Sequence, residues 1–72
     1  MLPFNEHLRN IRKSKGFTQK QVAEAIHMTE RNYQACEYGR TKPGFDYLVA
    51  LADHFDVSID YLVGRSDNQA RK

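Results

Sequence analysis

Two threonines eleven positions apart, Thr18 and Thr29, each stand where an α-helix would begin. Thr18 precedes Gln21 in the Thr-x-x-Gln spacing of a capping box, in which side chains and backbone amides satisfy each other at a helix N-terminus. The apolar residues that follow at helical spacing are Val22, Ala23 and Ile26. Since the two predicted helices are short and only about three residues separate them, they must cross at a steep angle.

The connection between these helices falls at His27, where the apolar spacing breaks. Histidine tolerates a left-handed backbone better than most residues, which suits a tight turn. Near the crossing point, the small side chain of Ala23 lets the two helix axes approach each other. The sequence therefore predicts a helix-turn-helix from Thr18 to about Tyr38.

Helical spacing of apolar residues also marks the segments on either side of this motif. A first helix is predicted over residues 4–15 and ends at Gly16; a fourth follows Gly44, and a short fifth begins after Ser58. The predicted inward residues are Phe4, Leu8, Ile11, Tyr33, Cys36, Phe45, Leu48, Leu51, Ala52, Phe55, Ile59, Leu62 and Val63. No segment alternates as a strand would. We expect an all-α domain of five helices over residues 1–65 and a polar, flexible tail over residues 66–72.

Length and residue types narrow the function. The chain has 72 residues, enough for a single small domain without a deep catalytic cleft. It offers no nucleophile–base pair, no metal-ligand spacing among its histidines and no phosphate-binding glycine loop, so we expect neither an enzyme nor a cofactor. His7 and His54 are expected at the surface, and Cys36 in the core. A lone cysteine, with no signal peptide and no apolar run of ~20 residues, predicts a cytoplasmic protein without a membrane segment.

The net charge of +2 is unevenly distributed. Residues 1–42 contain eight Lys/Arg against four Asp/Glu, whereas residues 43–72 contain three against five. A polyanionic partner would therefore meet the first part of the chain. Charge alone does not separate this interpretation from a chance scatter of surface residues.

Two runs resemble the Cro/cI-type helix-turn-helix family, also called the Xre family. The first, residues 17–43, has the Thr-Gln pair, the small alanine and the Glu-x-Gly in register, and the second, residues 48–65, contains Val-Ser-Ile-Asp-Tyr-Leu. The resemblance covers residues 4–65 and implies a lambda-repressor-like fold. Family members are mostly repressors or activators that bind palindromic operators in double-stranded DNA as homodimers. A sequence-specific transcriptional regulator, most often a repressor, is the function that the resemblance implies.

The resemblance also implies roles for individual residues, with a recognition helix at about 29–38 in the major groove. The expected base-reading positions are Glu30, Arg31, Gln34 and Ala35, of which Ala35 replaces a usual polar residue and leaves one contact missing. Arg31 would bond guanine and Gln34 adenine, while Glu30 would either accept from cytosine or support the helix N-terminus. The expected phosphate contacts are Gln19, Thr29, Asn32, Arg40, Lys42, Gly44 and Phe45.

Two further expectations concern contacts outside the DNA surface. Arg12 and Glu37 match a family ion pair that ties the first helix to the third. A homodimer interface is expected around the fifth helix, and its residues are Ile59, Tyr61, Leu62 and Val63. The alternative function is an antitoxin or anti-repressor module that binds a protein partner through exposed residues near Tyr47, Tyr61 and Val63.

Overall fold

Five α-helices form within residues 2–70, the part of the chain that the computed structural model describes. Their bounds are α1 Phe4–Ser14, α2 Gln19–Ala25, α3 Glu30–Glu37, α4 Phe45–Phe55 and α5 Ile59–Leu62. Within the described residues there is no strand, so the predicted all-α class is confirmed.

The helices end where the local sequence favours a left-handed backbone. Gly16, Gly39 and Gly64 have φ near +80°, which glycine adopts at little steric cost. Asp56 takes the same region at the end of α4, with φ +56°. Ser58 then caps α5, because its Oγ accepts from the backbone N–H of Tyr61 at 3.0 Å.

One apolar core joins all five helices. Its largest fully buried side chains are Leu8, Val22, Tyr33, Leu51, Phe55, Val57 and Leu62. Cys36 is buried at the inner face of α3, as the sequence predicted. Burial raises the pKa of its thiol, since a thiolate is costly in an apolar environment.

His7 and His54, both predicted at the surface, are half-buried in the structure. His54 packs its ring on Phe17 at a centroid distance of 4.4 Å, and its Nε2 is buried. Nε2 of His7 lies 2.7 Å from the backbone oxygen of Tyr61. The helical spacing of the sequence does not reveal these contacts, because their partners are distant in the chain.

Part of the predicted polar tail is hydrogen-bonded to the helical domain. The carbonyl oxygen of Gln69 accepts from the backbone N–H of Ser58 at 3.1 Å, and Nε2 of Gln69 donates to the Tyr61 hydroxyl at 3.3 Å. Residues 71–72, the end of that tail, lie outside the described residues.

Residues 2–70 contain neither a metal-binding cluster nor a membrane-spanning helix. Among them no group of three or more His, Cys, Asp or Glu side chains is placed to hold a metal ion. None of their helices is both long and apolar enough to cross a membrane.

Candidate nucleic-acid interface

The start of α2 carries the reciprocal capping that the sequence predicts. Oγ1 of Thr18 accepts from the backbone N–H of Gln21 at 3.0 Å, and Oε1 of Gln21 accepts from the backbone N–H of Thr18 at 2.9 Å. Both bonds satisfy amides that a helix N-terminus would otherwise leave free. The predicted capping box is confirmed.

The turn between α2 and α3 has the expected left-handed residue. His27 has φ +60°, and the following amide, of Met28, donates back to the carbonyl of Ala23 at 2.9 Å. Thr29 then caps α3, because its Oγ1 accepts from the backbone N–H of Asn32 at 3.1 Å. Ala23 is buried, with 1% of its surface exposed. These contacts form the helix-turn-helix that the spacing predicts.

The outward face of α3 presents the predicted base-reading residues to solvent. Glu30 and Arg31 are exposed, whereas Gln34 and Ala35 are half-buried. Arg31 makes no side-chain hydrogen bond or ion pair with residues 2–70, so its guanidinium donors are available to a ligand. Asn32 is also exposed at this end of the helix.

A second group of predicted contacts lies between α3 and α4. Arg40 and Lys42 are exposed, and Cζ of Arg40 lies 5.8 Å from the ring centroid of Tyr38. Gly44 stands at the N-cap of α4 and provides no side-chain cap, so the amides of the first turn remain open to an anion. The prediction that Phe45 faces the core is wrong, since 71% of its surface is exposed.

Gln19, predicted as a phosphate contact, is held by two neighbouring side chains. Its Nε2 donates to Oε1 of Glu37 at 3.1 Å, and its Oε1 accepts from Nε2 of Gln34 at 3.3 Å. Nε2 of Gln19 retains a second N–H that can donate to phosphate. Helical spacing could not predict this contact, because Glu37 and Gln34 are 18 and 15 positions from Gln19.

Behind this face lies the Arg12–Glu37 pair. Nε of Arg12 donates to Oε2 of Glu37 at 2.6 Å, and the second guanidinium nitrogen donates to Oε1 at 3.1 Å. Burial alone would raise the pKa of Glu37, but hydrogen bonds from Arg12 and Gln19 outweigh it and hold that pKa below the ordinary value. The Glu37 carboxylate, at the C-terminal end of α3, is therefore ionised and held in place.

The residues predicted for the dimer interface differ in how far the structure exposes them. Leu62 has no exposed surface and belongs to the core, so the expectation that its side chain meets a second copy is wrong. Ile59 is exposed, and Tyr61 and Val63 are half-buried. Val63 also lines a largely apolar groove together with Phe4, Lys42, Pro43 and Leu48.

A family model described as helix-turn-helix matches residues 8–62, which include α2, the turn and α3. The chain belongs to this family, of the Cro/cI type. It is 40% identical over 63 residues to the uncharacterized HTH-type transcriptional regulator YobD of Bacillus subtilis, covering 88% of this chain and 56% of that protein. It is 38% identical over 64 residues to the cryptic phage CTXphi transcriptional repressor RstR of Vibrio cholerae, covering 89% and 57%. The chain thus spans about half the length of these curated relatives.

Solved structures support the fold. The P22 c2 repressor, solved in complex with a synthetic operator, superposes with a TM-score of 0.82 over 92% of this chain and all of that chain, at 23% identity. A transcriptional regulator from Listeria innocua superposes with a TM-score of 0.79 at 33% identity, over 96% of this chain and 64% of that one. The predicted five-helix, lambda-repressor-like fold is confirmed.

Proposed function

We propose that this helix-turn-helix domain binds double-stranded DNA in a sequence-specific way and regulates transcription, with α3 in the major groove. The observation that carries the proposal is the exposed guanidinium of Arg31 at the N-terminal end of α3, which pairs with no group of residues 2–70. A free guanidinium there can bond O6 and N7 of guanine. Glu30 and the half-buried Gln34 flank it on the same helix, and Ala35 adds no polar group.

Backbone contacts would hold the domain in register on the duplex. The exposed cations Arg40 and Lys42 and the uncapped amides at Gly44 and Phe45 form one proposed clamp. Asn32 and the Thr29 hydroxyl, whose O–H is free to donate, form the other with Gln19. Because these contacts displace counterions, binding should weaken steeply with added salt.

We further propose a homodimer that represses through a palindromic operator. One recognition helix reads too few base pairs for genomic specificity, and a two-fold dimer would read two half-sites about 34 Å apart. The exposed Ile59 and the apolar groove lined by Val63 and Leu48 are the surfaces offered for the second copy. Repression is supported by the 38% identity to RstR, a transcriptional repressor. The cytoplasmic location stays a prediction.

Selection of bound fragments from random double-stranded DNA tests these proposals. We expect a palindromic consensus, and sedimentation of the protein on that consensus should show two chains per duplex. A consensus without symmetry, bound by one chain, would refute the dimer and leave DNA recognition intact. Failure to enrich any sequence, together with isolation of a stoichiometric protein partner, would instead favour the antitoxin or anti-repressor function.

A further inference from the structure

A chain of side-chain hydrogen bonds connects the buried ion pair to the exposed face of α3. Nε2 of Gln19 donates to Oε1 of Glu37 at 3.1 Å, and Nε2 of Gln34 donates to Oε1 of Gln19 at 3.3 Å. The same Nε2 of Gln34 lies 3.5 Å from Oε2 of Glu30, one helical turn away. We call these four residues the amide relay. It extends from a fully enclosed carboxylate to the surface proposed to meet base edges.

The direction of every bond in the amide relay is set at its buried end. The ionised carboxylate of Glu37 can only accept hydrogen bonds, so Gln19 must turn its Nε2 towards it. Oε1 of Gln19 then faces outward, and it too can only accept. Gln34 must therefore present its own Nε2 to Gln19. The choice between nitrogen and oxygen at each amide follows from donor and acceptor chemistry.

The outer end of the amide relay reinforces the same choice. The carboxylate of Glu30 is another group that only accepts, so Nε2 of Gln34 lies between two oxygens. Turning the Gln34 amide over would set its Oε1 against both of those oxygens.

The fixed orientation of its amide limits the hydrogen bonds that Gln34 can form with DNA. A glutamine with both ends free pairs with adenine by accepting from N6 and donating to N7. Nε2 of Gln34 instead lies 3.3 Å from Oε1 of Gln19 and 3.5 Å from Oε2 of Glu30, whereas its Oε1 accepts no hydrogen bond from residues 2–70. We infer that Gln34 accepts from one exocyclic amine in the major groove, on adenine N6 or cytosine N4, without a bond to N7. Gln19 is the positioning residue that imposes this single contact.

This inference rests on the proposed function and is tested on a duplex obtained by the selection described above. Each adenine in turn is replaced by 7-deazaadenine, which lacks N7 and keeps the amine, or by purine, which lacks the amine and keeps N7. Each cytosine is replaced by pyrimidin-2-one, which lacks the N4 amine. Affinities are measured for the wild-type protein and for Gln34→Ala, whose helical fold is checked by circular dichroism.

We expect loss of one particular amine to weaken wild-type binding about five- to ten-fold and to leave the affinity of Gln34→Ala unchanged. The base whose modification has this effect identifies the source of the amine. Replacing any adenine by 7-deazaadenine should change the affinities of the wild-type protein and of Gln34→Ala by the same factor. An adenine N7 whose loss weakens the wild type but not Gln34→Ala would overturn the inference. The inference would also be overturned if no amine replacement weakened the wild type more than Gln34→Ala.

Gln19→Leu tests the positioning role separately. It removes the acceptor that holds Nε2 of Gln34. The ratio of the affinity for an adenine duplex to that for its 7-deazaadenine counterpart should therefore rise, because adenine N7 can now accept from Gln34. A lost phosphate contact would weaken all duplexes equally and cancel in that ratio. An unchanged ratio would refute the role of Gln19. If selection enriches no sequence at all, the proposed function fails first and the inference fails with it.

Discussion

Arg12 on α1 and Glu37 on α3 face each other through two hydrogen bonds of 2.6 and 3.1 Å, with little of either residue exposed. A third bond, from Arg12 to the carbonyl of Phe17 at 2.9 Å, ties the segment before α2 to the same guanidinium. The pair thus joins α1, α3 and the entry to the helix-turn-helix. Removing one partner would leave the other charged and buried, which is costly.

We expect Arg12→Met and Glu37→Leu each to lower the free energy of unfolding by about 3–5 kcal/mol, measured by urea titration. The double variant should lose much less than the sum, because no uncompensated charge remains. Arg9→Ala, on the exposed side of α1, is the control and should stay within about 0.5 kcal/mol of wild type. Additive losses in the double variant would contradict a coupled pair.

Stability should also depend on pH through Glu37. Its folded pKa lies below the ordinary 4.5, so as the pH falls the unfolded chain takes up the proton first. The stabilisation is present above pH 4.5 and should be lost progressively as the pH falls below that value. Urea titrations at several acidic pH values should show this loss in wild type and a smaller one in the Arg12→Met, Glu37→Leu double variant. Equal losses in both proteins would show that other carboxylates dominate.

Replacing His27, the left-handed residue in the turn between α2 and α3, should stabilise the protein. His27 has φ +60°, a conformation in which a side chain is strained and glycine is not. His27→Gly should therefore raise the free energy of unfolding, by about 0.5–1 kcal/mol. Ala25→Gly, two positions earlier in helical backbone, should instead lower it by about the same amount. A loss of stability in both variants would mean that the His27 side chain contributes contacts that outweigh the strain.

Cys36 should be chemically inert in the folded protein. Only 2% of its surface is exposed, and burial raises the pKa of its thiol, so little reactive thiolate is available. A thiol-specific reagent at neutral pH should label it in urea and leave it unlabelled in buffer. The exposed Ala25→Cys substitution, made in a Cys36→Ala background, should instead be labelled rapidly in buffer. Rapid labelling of native Cys36 would indicate frequent opening of α3.

Arg31 should carry discrimination between bases. Arg31→Ala is expected to cost about 1–3 kcal/mol in binding the selected duplex and to relax preference at one base position. Arg9→Ala removes the same charge from the exposed side of α1 and should leave base preference unchanged. Lys42→Ala should weaken binding to all sequences equally and reduce the salt dependence. Unaltered preference in Arg31→Ala would show that Arg31 does not read a base.

The features that the sequence by itself determined are local ones. The caps at Thr18, Thr29 and Ser58, and the left-handed turn at His27, depend on residues within about four positions of one another. Such contacts follow from backbone geometry alone, so spacing was enough to predict the helix-turn-helix and the number of helices. The Arg12–Glu37 contact spans 25 positions, and only the family resemblance pointed to it.

The tertiary structure decided which way individual side chains face. Leu62 and Phe45 are both apolar residues near helix ends, yet one is fully buried and the other 71% exposed, because the packing of α4 and α5 fixes their rotation. The orientation of the Gln34 amide depends on Gln19 and, through it, on Glu37. A helical pattern specifies a residue's face within its own helix, but a donor or acceptor is oriented by partners that only the folded chain brings together.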